Sequence, residues 1–270
     1  MIAVIVAVTA GCAGYSGRSK PAAVPEFRPG LLTGYLPAKA LPNSLALVPP
    51  PPAAGSAALA LDEEISRRSF ALRETPRWGL AIADADLKFP KAAGTFSCAL
   101  NAPVTETDTP HLYLLLRRTL TDLGLSTYAA KDHYNRGRPF VWNREPICTP
   151  DKKAALEKDG SYPSGHTAAG WGWALILSEI SPERTDAILA RGLAFGESRN
   201  VCNAHWHSDV MQGRAVAAGT VARLHADPAF RADLQAAREE LAAVRKKGLK
   251  PMRDCGAEAA ALAVQPSLAQ

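Results

Sequence analysis

Two short segments of the chain bring basic and imidazole side chains to spacings that suit chemistry on a bound anion. In the first, Lys131 and Arg138 are seven residues apart, nearly two turns of a helix, so both could project from one face. In the second, Ser164 and Gly165 stand where an apolar run of helical length begins. The free backbone N–H groups at a helix N-terminus attract anions. His166 follows directly and would lie beside a bound anion.

A third segment contains the groups that covalent catalysis needs. His205 and Asp209 are at positions i and i+4, so the carboxylate could accept a hydrogen bond from one ring nitrogen and leave the other as a nucleophile. Arg199 offers a planar guanidinium that matches phosphate oxygens. A metal site built from His205, His207 and Asp209 is a competing hypothesis. We expect no metal, because residues i and i+2 of a helix point about 200 degrees apart.

The order of the three segments is more specific than any one of them. They follow the patterns K-x6-R-P, P-S-G-H and S-R-x5-H-x3-D without a mismatch. This order resembles the signature of the type 2 phosphatidic acid phosphatase superfamily, which includes the vanadium haloperoxidases. Within it, residues 41–247 resemble the bacterial class A nonspecific acid phosphatases. His207 stands where that family has glutamine, and we expect it to alter the local charge or pH response beside the site rather than the core chemistry.

The resemblance implies a metal-independent acid phosphatase that hydrolyses a broad range of phosphate monoesters through a phosphohistidine intermediate. His205 would be the nucleophile, Asp209 would orient it, and His166 would protonate the leaving group. No cofactor is implied, and the partners would be small phosphate esters. The phosphate oxygens would be held by Lys131, Arg138, Ser164, Gly165 and Arg199.

Other functions could use the same residues. A vanadate-dependent haloperoxidase would hold vanadate as a phosphate mimic with His205 as its ligand, but the segments outside the shared motifs resemble acid phosphatases. A non-catalytic phosphate-binding protein has no use for a His–Asp pair with a second histidine. A lipid phosphatase of the same superfamily is disfavoured, because no segment reaches the roughly 20 apolar residues of a membrane span.

The composition is typical of an ordinary globular protein. Of the 270 residues, 47% are hydrophobic and 21% charged, and the net charge of +5 is spread along the chain, which favours a small anion over nucleic acid as partner. No alternating strand pattern of useful length is present. Pairs of a capping residue and a proline signal helix starts; they are Thr75-Pro76, Thr109-Pro110, Thr149-Pro150, Ser181-Pro182 and Asp227-Pro228.

We therefore predict an all-α fold, a single-domain helical bundle of the kind found in phosphatidic acid phosphatases and haloperoxidases. The apolar pattern predicts helices over residues 61–72, 76–87, 110–135 with a break at Gly124, 150–157, 165–179, 182–197, 203–225 and 228–247. The predicted domains are an export segment (1–12), a linker (13–40), the acid phosphatase domain (41–248) and a flexible Ala-rich tail (249–270).

The N-terminus and the cysteines indicate an exported protein. Residues 1–10 are apolar and precede Gly11 and Cys12, which resembles a cleavable signal or a bacterial lipoprotein box. We expect a periplasmic location, with the chain either anchored to the outer membrane by a lipid at Cys12 or secreted. The other four cysteines would form two disulfides, and the sequence leaves three pairings open; they are Cys98, Cys148, Cys202 and Cys255. The helix pattern suits a monomer or a homodimer.

Overall fold

Helices make up nearly all the regular structure of the computed structural model, which describes residues 20–264. The all-α class is confirmed. The helices are α1 (Ser44–Leu47), α2 (Ala57–Ser69), α3 (Pro76–Asp84), α4 (Ser97–Leu100), α5 (Pro110–Leu125), α6 (Tyr128–Tyr134), α7 (Pro139–Asn143), α8 (Lys153–Leu156), α9 (Gly165–Ile180), α10 (Thr185–Val201), α11 (His207–Leu224), α12 (Pro228–Lys246) and α13 (Cys255–Ala263). Within the described residues, the sheet structure is one antiparallel hairpin of β1 (Glu26–Arg28) and β2 (Leu31–Leu32).

Helix α9 lies at the centre of the bundle and packs against α5, α10, α11 and α12. Trp173, Ile176 and Leu177 are fully buried, as expected for a helix that is surrounded by others. The α10 helix approaches closely at Gly170, where a Cβ atom would lie only 2.1 Å from the ring of Phe195. Since α9 begins at Gly165, the central helix of the core carries the predicted anion site at its N-terminus.

The proline helix starts are where the sequence predicts them. Pro76, Pro110 and Pro228 begin α3, α5 and α12, and the other two prolines begin 3-10 turns that lead into α8 and α10. Among these five starts, only the Asp227 side chain caps its helix, by accepting a hydrogen bond from the Phe230 N–H. The hydroxyl caps we expected do not form, and the hydroxyls of Thr75, Thr109 and Ser181 bond elsewhere.

Two helices near the site differ from the prediction. The stretch 110–135 is divided into α5 and α6, close to the predicted break. Helix α6 ends at Tyr134, and the next residue, Asn135, has a left-handed backbone conformation (φ 39°). Lys131 and Arg138 therefore do not share one helix. Helix α11 begins at His207 rather than at residue 203, so His205 lies in the preceding loop.

Residues 26–40, which we predicted to be part of a linker, pack against the bundle. The turn at Gly30 (φ 82°) closes the hairpin, and Leu32, Tyr35 and Leu36 are buried. The backbone N–H groups of Tyr35 and Leu36 donate to the carboxylate of Asp122 on α5, at 2.8 and 3.0 Å. Apolar burial and this carboxylate hold the segment on the bundle.

The predicted flexible tail is also corrected, for residues 255–263. They form α13, which packs against α3 and is joined to α4 by the disulfide Cys98–Cys255. The second disulfide, Cys148–Cys202, fixes the end of α10.

No helix in residues 20–264 is long and apolar enough to cross a membrane. The predicted export segment and Cys12 lie outside the described residues.

Candidate active site

A cavity of about 320 Å³ opens at the N-terminus of α9. It is lined by five of the predicted site residues, namely Lys131, Arg138, Gly165, His166 and His205. A second cavity, of about 590 Å³, shares His166 with it and is lined by Arg199. The fold therefore brings together groups that are up to 74 positions apart in the sequence.

His205 is held at both ring nitrogens. Its Nδ1–H donates to Asp209 Oδ2 at 3.3 Å, and its Nε2 faces Arg138 Nη1 at 3.0 Å, so Nε2 is the acceptor. The predicted His–Asp pair is present, although it joins a loop to the first turn of α11 rather than two turns of one helix. Burial, followed by the charges of Arg138, Lys131 and Arg199, lowers the pKa of His205 well below its ordinary value. The ring is therefore neutral in mildly acidic solution, as a nucleophile must be.

Asp209 is itself held by a buried network that sequence reasoning missed. Arg136 Nη1 donates to Asp209 Oδ1 at 2.7 Å, and Arg136 Nη2 donates to Asp62 Oδ2 at 2.8 Å. Asp209 Oδ2 also accepts the N–H of Trp206. With these partners fixed, the carboxylate keeps one orientation toward His205. Arg136 stands within the predicted 131–138 segment, whereas Asp62, on α2, carries no sequence signal.

Lys131 and Arg138 converge on the cavity from different elements. Lys131 is on α6, and Arg138 is the residue before α7. Both are almost fully buried, and burial lowers the pKa of Lys131 to about 8. Both side chains lie beside the carboxylate of Asp159, a residue that sequence reasoning also missed. Its signal was its position directly before the Gly160–His166 segment.

Arg199 is the cation of this group with unused hydrogen-bond donors. Its side chain is 1% exposed, yet within the described residues its Nε and Nη1 atoms have no hydrogen-bond partner. Burial and the neighbouring Arg138 lower its pKa to about 10, so it remains charged. A buried, charged and unpaired guanidinium is costly unless an anion binds to it. Arg199 therefore fits the phosphate-binding role predicted for it.

The two residues at the start of α9 differ in their placement. Ser164 is fully buried and is the N-cap, its Oγ accepting hydrogen bonds from Thr167 N and Thr167 Oγ1. It does not line the described cavities, and direct contact with phosphate stays a prediction for it. Gly165 does line the 320 Å³ cavity, and its backbone N–H belongs to the first turn, where no intrahelical acceptor is available.

Replacing Gly165 by alanine is expected to leave the fold intact and weaken phosphate binding by about tenfold or more. The nearest atom to a Cβ at this position is Thr127 Oγ1 at 3.6 Å, an ordinary contact, so the empty protein has room for the methyl group. The methyl group would project toward the cavity where the phosphate must approach the backbone. The measurement is the Kd of inorganic phosphate by calorimetry, with thermal unfolding as control. An unchanged Kd would remove Gly165 from the phosphate site.

His166 lies between the two cavities. Its Nε2–H donates to the carbonyl oxygen of Ala85 at 3.1 Å, which leaves Nδ1 for proton exchange. Burial and the charge of Arg199 lower its pKa well below the ordinary histidine value. In the empty site the ring is therefore neutral.

Part of the cavity lining is apolar, and two of its residues come from an unexpected part of the chain. Phe27 and Leu31 of the N-terminal hairpin line it together with Leu120, Leu125 and Leu156. The dipeptide Pro29-Gly30 is a turn signal that could have revealed the hairpin. This apolar lining offers a surface for the alcohol part of an ester.

His207 lies away from the active-site cavity, and it was one of the residues of the hypothetical metal site. His207 lines a separate small cleft with Arg77 and Glu197, and it is not among the residues that line the active-site cavity. Burial lowers its pKa. In residues 20–264, no group of three or more His, Cys, Asp and Glu side chains is arranged to hold a metal ion.

The chain is similar to known proteins of one enzyme family. The profile of the PAP2 superfamily matches residues 111–232, which include every predicted site residue. A non-specific acid phosphatase of Providencia stuartii is 46% identical over 205 residues, covering 76% of this chain and 83% of that protein. The chain belongs to the PAP2 superfamily, among its non-specific acid phosphatases.

Further members of this family give the same result. A non-specific acid phosphatase of Salmonella typhimurium is 44% identical over 200 residues, covering 74% of this chain and 80% of its own length. An acid phosphatase of Zymomonas mobilis is 42% identical over 209 residues, covering 77% and 79%. The chain is thus a phosphatase enzyme, and the resemblance to class A nonspecific acid phosphatases is confirmed. The haloperoxidase and the non-catalytic phosphate-binding protein are set aside.

Proposed function

We propose that this acid phosphatase hydrolyses phosphate monoesters through a phosphohistidine on His205 and requires no metal ion. The observation that carries the proposal is the placement of His205, whose Nδ1–H is bonded to Asp209 while Nε2 faces a cavity lined by buried cations. In the first step, Nε2 gives up the hydrogen bond that it accepts from Arg138 Nη1 and attacks phosphorus as the bond to the ester oxygen breaks. Covalent capture divides one difficult displacement into two easier ones.

In the second step, water attacks the phosphohistidine. His166 Nδ1 accepts a proton from the water, the P–N bond breaks, and its electron pair returns to His205 Nε2. His166 Nδ1 then passes this proton to the departing phosphate, which leaves as the monoanion, and the enzyme is restored with a neutral His166. The same nitrogen of His166 donates a proton to the departing alkoxide in the first step, so His166 acts as acid and then as base.

We propose that the proton needed in the first step arrives with the substrate. His166 is neutral in the empty site because burial and Arg199 lower its pKa. A phosphate monoester loses its second proton at a pKa of about 6, so the monoanion present in mildly acidic solution can pass a proton to Nδ1. The negative charge that remains on the phosphate offsets Arg199 and stabilises the protonated ring. We therefore expect hydrolysis to slow as the pH rises above about 6 and the monoanion is lost.

Metal independence is proposed because the protein supplies the positive charge itself. Lys131, Arg138 and Arg199 are buried around the site, where hydrogen bonds to developing negative charge are strongest. Other phosphoryl-transfer enzymes use magnesium for this purpose. A broad substrate range is proposed because much of the cavity lining outside the cations and histidines is apolar and offers few groups that could select one alcohol.

The purified full chain is expected to hydrolyse 4-nitrophenyl phosphate in mildly acidic solution with EDTA present, at an undiminished rate. Vanadate should inhibit this hydrolysis, because it mimics the five-coordinate phosphorus of the transition state. The measurement is the rate of 4-nitrophenol release with each addition made separately. Loss of activity with EDTA, restored by a divalent metal, would contradict metal independence.

We also propose that the protein works in the periplasm or outside the cell. Its two disulfides suit an oxidising compartment, since such bonds rarely persist in the cytosol.

A further inference from the structure

Asp159 places a carboxylate among the cations of the active site. Its Oδ2 accepts a hydrogen bond from Arg138 Nη2 at 2.8 Å and lies 3.7 Å from Lys131 Nζ. It lines the same cavity as His205 and His166, and its side chain is 37% exposed. A carboxylate oxygen thus occupies a position between two cations that phosphate oxygens would require.

Arg138 has no donor to spare for phosphate in this arrangement. Its Nε bonds to the carbonyl oxygens of Leu156 and Asp159, and its Nη1 bonds to the carbonyl oxygen of Ala204 and to His205 Nε2. Its Nη2 is shared between Asp159 Oδ2 and the carbonyl oxygen of Gly160. A guanidinium has five N–H groups, so phosphate can bind Arg138 only if one of these partners leaves.

His205 Nε2 must leave Arg138 only when it attacks phosphorus; of the partners that remain while phosphate binds, Asp159 can leave most readily. The carbonyl oxygens are fixed by the backbone, whereas the Asp159 side chain is partly exposed and can rotate toward water. Phosphate and carboxylate also carry the same sign of charge, so they repel each other when both lie between the same cations. Arg199, whose donors are unpaired, offers the incoming phosphate a first contact that does not require displacement of a protein group.

We propose that Asp159 is an internal counter-anion that occupies part of the phosphate site in the empty enzyme and competes with phosphate for Arg138 and Lys131. This inference rests on the proposed function, in which these two cations hold the phosphoryl group. The competition weakens binding of substrate and of product phosphate alike. It also offsets part of the positive charge of the two buried cations between turnovers, which lowers the cost of their burial.

An alternative role for Asp159 predicts the opposite result. If the carboxylate only positioned Arg138 for catalysis, removing its charge would loosen the guanidinium and weaken phosphate binding. If it competes with phosphate, removing its charge strengthens phosphate binding. The sign of the change in Kd therefore separates the two roles.

The test is the Asp159→Asn substitution in the full chain, with the Kd of inorganic phosphate measured by calorimetry and its Ki against 4-nitrophenyl phosphate measured in parallel. We expect both constants to fall roughly fivefold, because that ratio corresponds to the interaction energy of a partly exposed ion pair. Asp159→Ala is a second variant that should change both in the same direction. An unchanged or higher Kd in variants that unfold at the wild-type temperature would overturn the proposal.

Glu157→Gln provides the matched control. It removes the same charge two residues away, where Glu157 pairs with Lys153 at 2.8 Å and does not line the cavity. Its Kd for phosphate should stay within about twofold of the wild-type value. If Asp159→Asn and Glu157→Gln strengthened phosphate binding equally, the effect would come from net charge, and a specific role for Asp159 would be refuted. Calorimetry needs no turnover, so this result stands apart from whether a phosphohistidine forms.

Discussion

Replacing His205 by alanine is expected to reduce kcat for 4-nitrophenyl phosphate by at least about 10⁴-fold, the scale of losing a catalytic nucleophile. The remaining site still binds the phosphate, because Lys131, Arg138 and Arg199 are unchanged. Loss of Nε2 removes the atom that bonds to phosphorus. The measurement is kcat in mildly acidic solution, with circular dichroism to check the fold.

His207→Ala is the matched control for this experiment. His207 is two residues further along the chain and lines a different cleft, so its loss should change kcat by no more than a few-fold. A His205→Ala enzyme that kept more than a few per cent of wild-type kcat would show that another group attacks phosphorus. A large loss in His207→Ala alone would move the active centre to the other cleft.

Replacing His166 by alanine is expected to slow hydrolysis of alkyl phosphates by about 10²- to 10⁴-fold, the usual contribution of a general acid. The effect on 4-nitrophenyl phosphate should be much smaller, because the nitrophenolate leaves without needing a proton. The measurement is kcat/KM for both substrates under single-turnover conditions, so that the later hydrolysis step does not limit the rate. Equal losses for the two substrates would remove His166 as the acid.

The proposed catalytic groups stand out in the sequence because their chemistry is carried by residue type and order. A histidine four residues before an aspartate, a histidine after Ser164-Gly165 and cations at set intervals are visible without a fold. The fold class was equally accessible, since proline starts and apolar periodicity are local signals. The predicted contact between His205 and Asp209 is confirmed by the geometry even though His205 is not helical.

The errors concern features that depend on tertiary contacts. The left-handed Asn135 separates Lys131 from Arg138, yet the two cations still meet because the chain folds back toward Asp159. The N-terminal hairpin was predicted as a linker because its strands are too short to show alternation, and it is held by Asp122, far along the chain. Helix α13 was predicted as a flexible tail because the segment is Ala-rich, and its packing on α3 and its disulfide to Cys98 are tertiary contacts that the sequence leaves open.

The residues that hold the proposed catalytic groups in place were the least predictable part of the site. Arg136 and Asp62 orient Asp209 through hydrogen bonds that join separate helices and loops. Nothing in the spacing of these residues indicates that they meet. Asp159 follows the same rule, because a single acidic residue in a polar stretch is usually a solvated surface group.

Direct detection of the phosphorylated enzyme tests the central claim. The full chain would be mixed with substrate, quenched within the first turnover, and its peptides analysed by mass spectrometry under conditions that preserve phosphohistidine. Our account predicts a phosphoryl group on His205, formed and lost at rates consistent with kcat, and absent from His205→Ala. A phosphoryl group on another residue, or turnover without any phosphoenzyme by rapid quench, would contradict it.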